Sequence, residues 1–158
     1  MSVTEAEQRP ARPKNARRIS RELATQALYA WLLNPRDVRD IKRDARLDET
    51  FLHADAGLFD NVIDGVTGDT EALHALLAPV LDRGVEALSP VEHAILLIGA
   101  LELSAHPETP YRVIINEAVD IAKVFGATDG HRFVNGVLDR LAAQVRPGEA
   151  VRRQSRPD

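Results

Sequence analysis

Apolar residues recur at steps of three and four along most of this chain, a spacing that predicts helices. From about Asn15, residues Ala24, Ala27, Leu28, Trp31 and Leu32 line one face of a first helix. Asn34-Pro35 ends it, because proline disfavours helical geometry in the residue before it. A short polar helix through Arg46 is expected next. Phe51 to Val66 reads as a further helix, with Leu52, Leu58, Phe59, Val62, Ile63 and Val66 apolar. Asp69, after the Gly68 break, caps a helix from Thr70 to about Leu81.

The second half is more sharply marked. Ser89-Pro90-Val91-Glu92 has the form of a capping box with proline at the first helical position. The run after it, Ala94 to Leu103, is apolar nearly all round, which predicts a central, buried helix. Glu102 within that run is expected to reach the surface or a basic partner, since buried acids are rarely left unpaired. Thr109-Pro110 opens the following helix, whose apolar face is Ile114, Ala118, Ile121, Ala122 and Phe125. Gly126 suits a left-handed helix end. Thr128 or Asp129 caps the last helix, with Val134, Val137, Leu138 and Leu141 inward. Gly136 in mid-helix costs about 1 kcal/mol relative to alanine, so a close helix crossing is predicted there. No alternating run bounded by hairpin turns occurs. The fold class is therefore all-α, with about seven helices.

Composition changes this picture at the ends. Residues 1–14 and 147–158 are polar, charged and without apolar spacing, so a disordered basic arm and a disordered basic tail are expected. The 158 residues suffice to bury a core, as one domain or two small subdomains. There is no cysteine, which removes disulfides and thiolate metal sites. The start lacks the apolar segment of a signal peptide, and Ala94 to Leu101 falls far short of the ~20 residues that span a bilayer. A soluble, cytoplasmic protein with no membrane contact is expected.

Charge is distributed unevenly. The net charge is −4, yet Arg9, Arg12, Lys14, Arg17, Arg18 and Arg21 fall within thirteen residues free of acids. Taking those 6 from the 20 basic residues leaves 14 against 24 acidic ones, a balance of −10. A basic arm on an acidic body is a footprint of polyanion binding, and equally of a solvated tail. If the first helix begins near Lys14, then Lys14, Arg17, Arg18 and Arg21 occupy i, i+3, i+4 and i+7, stacked over roughly 10 Å. Like charges so placed repel one another, and a phosphate backbone would relieve the repulsion. Thr25 and Tyr29 continue the stripe. Tyr29 can stack on an unpaired base or pack against a neighbouring helix, and the residues leave both open.

Catalytic patterns are missing: there is no GxxxxGK[ST], GxGxxG, HExxH or GxSxG. His53, His74, His93, His106 and His131 are scattered without metal-ligand spacing. A binding protein with no cofactor is expected. A helix-turn-helix DNA reader around Gly126 is a competing reading, but its second helix would present Asp129, Arg132, Gly136 and Asp139, a poor surface for a major groove. A structural adaptor with an incidental arginine arm is another.

Three segments carry a resemblance: RRISRELATQALYAW, LSPVEHAILLIGALELS and PYRVIINEAVDIAKVFGATDGHRFVNGVLD. Together they are similar to the NusB family of bacterial transcription antitermination factors, over about Ala16 to Arg146. The resemblance implies an all-helical fold of two small packed bundles, taken here as residues 15–83 and 84–146. It implies binding of the single-stranded boxA element of ribosomal RNA leaders together with NusE, a small-subunit ribosomal protein. That complex helps RNA polymerase pass terminators. By resemblance, Arg17, Arg18 and Arg21, with Lys14 before them, form the arginine-rich RNA motif. Tyr29 lies near the RNA and the partner, Asp129, Arg132 and Phe133 form a second RNA patch, and Glu92 is a partner-side acid. A homodimer that hides the arginine face is also within the family's range. Ile19 departs from the pattern, standing where relatives often carry another arginine. The same module occurs fused to RNA cytosine methyltransferases, but this chain lacks the cysteine that such enzymes use as nucleophile.

Overall fold

The computed structural model describes residues 13–126 and 129–149, with the backbone alone for Pro13 and Lys14. Most of the expected arm and tail, and Thr128 as a possible cap, lie outside the described residues. Every regular element among the described residues is helical. The chain divides into two compact units, one ending at Thr67 and the other beginning at Gly68. The division precedes the expected 83/84 boundary because the helix after Gly68 packs on later helices.

The first unit contains α1 (Pro13–Leu33), α2 (Val38–Ala45), a 3-10 turn (Glu49–His53) and α3 (Ala56–Gly68, through Thr67). The described part of α1 includes Pro13 and Lys14, which belong to the stretch expected to be disordered. Ala24 and Leu28 are fully buried, as are Phe59, Val62, Ile63 and Val66 of α3. The helix predicted from Phe51 to Val66 breaks in two. Ala54 is extended, and the Asp55 carboxylate accepts the Leu58 amide at 3.0 Å, starting α3 afresh. Leu52 is left exposed. Ser20, fully buried, joins α1 to this break: its hydroxyl lies 2.7 Å from the Asp55 carbonyl and accepts the Asp55 amide at 2.8 Å.

The second unit contains α4 (Thr70–Leu77), 3-10 turns at Ala78–Val80 and Val85–Ala87, α5 (Pro90–Ala105), α6 (Tyr111–Phe125) and α7 (Gly130–Val145). Helix α5 is buried continuously from Ala94 to Leu103, as its all-round apolarity predicts. It packs on α4, α6 and α7. Ser89 accepts the Glu92 amide at 3.2 Å, one half of the capping box. Glu102 is 1% exposed, so it does not reach the surface; it keeps a polar or electrostatic partner inside.

Two glycine expectations are corrected. A Cβ on Gly136 would meet only the end of Arg140, at 3.4 Å, so no close crossing occurs there. The crossing is at Gly99 of α5, where a Cβ would lie 2.8 and 2.9 Å from the two methyl carbons of Leu138. Gly126 is not left-handed but extended, with φ −90° and ψ 179°. A Cβ there would lie 2.7 Å from the Ala122 carbonyl oxygen, and close approach rather than backbone sign calls for glycine.

The expected tail is ordered at its start. The Arg146 guanidinium donates to the carbonyls of Glu102, Leu103, His106 and Thr109 at 2.6–3.1 Å, tying α7 to the end of α5 and to the turn that follows it. Glu149 accepts from Arg146 at 3.2 Å and from the Tyr111 amide at 3.0 Å, taking the place of a side-chain cap on α6. No helix among the described residues is long and apolar enough to cross a membrane.

Candidate nucleic-acid interface

In the first unit the arginine stripe does not keep to one solvent face. Arg17 is exposed and Arg18 half-buried, but Arg21 is 3% exposed. Its placement follows from helical spacing. Arg21 precedes Ala24, Thr25 and Leu28 by three, four and seven residues, and all three are buried, so it continues the core face. Arg21 keeps a partner, as does Arg18. Thr25 turns inward too, its hydroxyl donating to the Arg21 carbonyl at 2.7 Å. Tyr29 re-emerges at 38% exposure. The cationic surface of α1 is therefore Arg17 and Arg18, while the Lys14 side chain lies outside the described set.

In the second unit the expected residues gather at the start of α7. Asp129 and Arg132 are exposed and Phe133 is half-buried. Asp129 precedes the helix without a side-chain cap bond. The Glu92 carboxylate reaches this helix start, one oxygen lying 2.8 Å from where a Gly130 Cβ would stand. A carboxylate is favoured at the positive end of a helix, and glycine leaves room for its approach. Sequence reasoning missed Arg83 altogether. Its guanidinium lies over the Phe133 ring, 4.5 Å from the centroid, while its Nε donates to Asp82 at 2.8 Å. That hydrogen bond holds the Asp82 carboxyl below its ordinary pKa and raises that of Arg83, to which Glu92 adds a smaller attraction. The missed signal was slight: a lone Arg in a loop, fifty residues from its aromatic partner in sequence.

A second pairing was also illegible. His74 on α4 and His93 on α5 meet with their Nε2 atoms 2.8 Å apart and ring centroids 5.0 Å apart. The rings meet tip to tip, so one Nε2–H donates to the other's lone pair. The Glu71 carboxylate lies 3.4 Å from His74 Nδ1. Burial, and then the nearby His74, lower the pKa of His93. No group of three or more potential metal ligands occurs among the described residues.

Comparison with known proteins fits this architecture. The sequence pattern of the NusB family matches residues 18–143. The transcription antitermination protein NusB of Paraburkholderia xenovorans (strain LB400) is 54% identical over 136 residues, covering 86% of this chain and 94% of its own. Among solved structures, T. maritima NusB superposes with a TM-score of 0.74 at 28% identity, covering 85% of this chain and 96% of that one. A structure of antitermination factors NusB and NusE in complex with dsRNA has a TM-score of 0.71 at 19% identity, covering 80% and 96% of the two chains, and shares the fold. With the match extending over most of its length and through both units, the chain belongs to the NusB family.

Proposed function

We propose that this protein is an RNA-binding transcription antitermination factor that engages the single-stranded boxA element of ribosomal RNA leaders together with NusE. It works in the cytoplasm by binding, not by catalysis, within the RNA polymerase antitermination complex. The observation that carries this reading is the pair of cations on the outer surface of α1, Arg17 exposed and Arg18 half-exposed, on a family member whose net charge is −4. Acidic proteins repel polyanions unless positive charge is concentrated where the backbone lies.

The division of labour follows from residue chemistry. Arg17 and Arg18, with Lys14 before them, capture phosphates without reading sequence. Arg21, buried among core residues, holds the helix that presents them. Phe133, with Tyr29, offers aromatic surface to unpaired bases, and Asp129 and Arg132 offer base-edge acceptors and donors. Glu92 and Tyr29 serve the NusE side.

The test is fluorescence anisotropy with boxA-type single-stranded RNA, a scrambled RNA, duplex RNA and duplex DNA, with and without NusE. Preferential binding of boxA single strand, strengthened by NusE, is the expected result. The salt slope should be about −0.7 per phosphate neutralised. Arg18→Ala should weaken all RNAs alike, whereas Phe133→Ala should erode the preference for boxA. A preference for duplex DNA, or no binding with NusE present, would overturn the proposal.

A further inference from the structure

We infer that Arg83 is a specificity-determining residue of the RNA surface in the second unit: its guanidinium, held over Phe133, is the face on which an unpaired base stacks. This rests on the RNA-binding reading above and assigns the stacking surface within it. Three observations carry it. The guanidinium carbon stands 4.5 Å from the Phe133 centroid, so one face of the ring carries Arg83. The Arg83 side chain is 44% exposed and so reaches solvent. Its position is braced from the edge rather than from the outer face: Nε donates to Asp82 Oδ1 at 2.8 Å, and Glu92 attracts it from the start of α5.

Guanidinium planes and aromatic rings both stack bases, so an arginine lying on an aromatic ring extends the platform outward by one layer. The same surroundings decide which part of a nucleotide fits. Asp82 and Glu92 set carboxylates beside the guanidinium, which disfavour a phosphate there. They do not repel a neutral base, and carboxylates accept from exocyclic amino groups on base edges.

The test uses the full-length protein with Arg83→Lys and Arg83→Gln, both at an exposed position, with helicity checked by circular dichroism. Lysine keeps the charge but loses the plane. The expected result for Arg83→Lys is a matched-over-scrambled affinity ratio reduced roughly fivefold or more, the lower end for losing one base stack. Its salt slope should match that of the unmodified protein, and Arg83→Gln, planar but neutral, should retain more of the preference than lysine does. An unchanged ratio in Arg83→Lys, with the unmodified protein still preferring boxA, overturns this inference and leaves the RNA-binding reading standing. A uniform loss on both RNAs in Arg83→Gln, with the salt slope lowered by about 0.7, would make Arg83 a phosphate contact and equally overturn it. So would a defect seen only when NusE is present, which would assign Arg83 to the protein partner. Failure of the unmodified protein to bind RNA overturns both.

Discussion

Gly99 and Gly136 both sit in helix interiors of the same unit, and replacing each by alanine separates backbone propensity from packing. Alanine in place of a mid-helix glycine stabilises by about 1 kcal/mol, through the conformational freedom glycine keeps when unfolded. At Gly136 nothing opposes that gain, since the new Cβ would meet only the end of the Arg140 side chain at 3.4 Å. At Gly99 the Cβ would lie 2.8 and 2.9 Å from the Leu138 methyl carbons, inside any real carbon–carbon contact. Leu138 is fully buried in the core of this unit. Forcing a methyl group into such a core costs about 1–3 kcal/mol. Because the propensity gain is common to both variants, the difference between them isolates the clash, about 1–3 kcal/mol in favour of Gly136→Ala. At roughly 2–4 °C per kcal/mol for a chain of this size, the melting temperatures should differ by several degrees. Thermal and urea unfolding followed by circular dichroism would measure this. Leu138→Val should partly relieve Gly99→Ala, so that the double variant is more stable than the sum of the single effects. Equal melting temperatures for the two alanine variants would refute the crossing at Gly99.

Other expectations follow from the same contacts. Arg146→Ala should destabilise by ~1.5–3 kcal/mol in urea titration, because carbonyls at and just after the end of α5 lose a charged donor. Arg146→Lys should recover only part of this, since an ammonium cannot span the same acceptors. Ser20→Ala should cost about 1 kcal/mol, as the Asp55 amide keeps only the longer bond to the Ala16 carbonyl at 3.3 Å and the Asp55 carbonyl loses a donor. The His93 pKa is lowered from 6.5, so the folded state takes up its proton less readily than the unfolded chain. Its contribution is fully present above about pH 6.5 and is lost as pH falls towards the folded value. Urea unfolding from pH 8 to pH 5 should show that decline, and His93→Gln should flatten it. A pH profile unchanged by His93→Gln would refute the assignment of that decline to His93.

The all-helical class, the order of the helices and most of their inward faces could be read from the chain alone. That is because helical periodicity is local: Val134, Val137, Leu138 and Leu141 must share a face whatever they touch, and all four are fully buried. The capping serine at position 89 and the buried run of α5 were legible for the same reason. What the tertiary structure decided were matters of distance between elements. Arg17 and Arg21 look alike in a list of spacings, yet Arg21 is buried and Arg17 exposed, because burial depends on how wide an arc of α1 the rest of its unit covers. Which glycine marks the crossing depends on what stands opposite, and Leu138 stands opposite Gly99. Arg83 on Phe133, His74 on His93 and Arg146 on the end of α5 join residues from separate elements, and no sequence period links them. The chain's own pattern specifies which faces turn inward; only packing brings particular side chains together, since those contacts are made across space rather than along a helix.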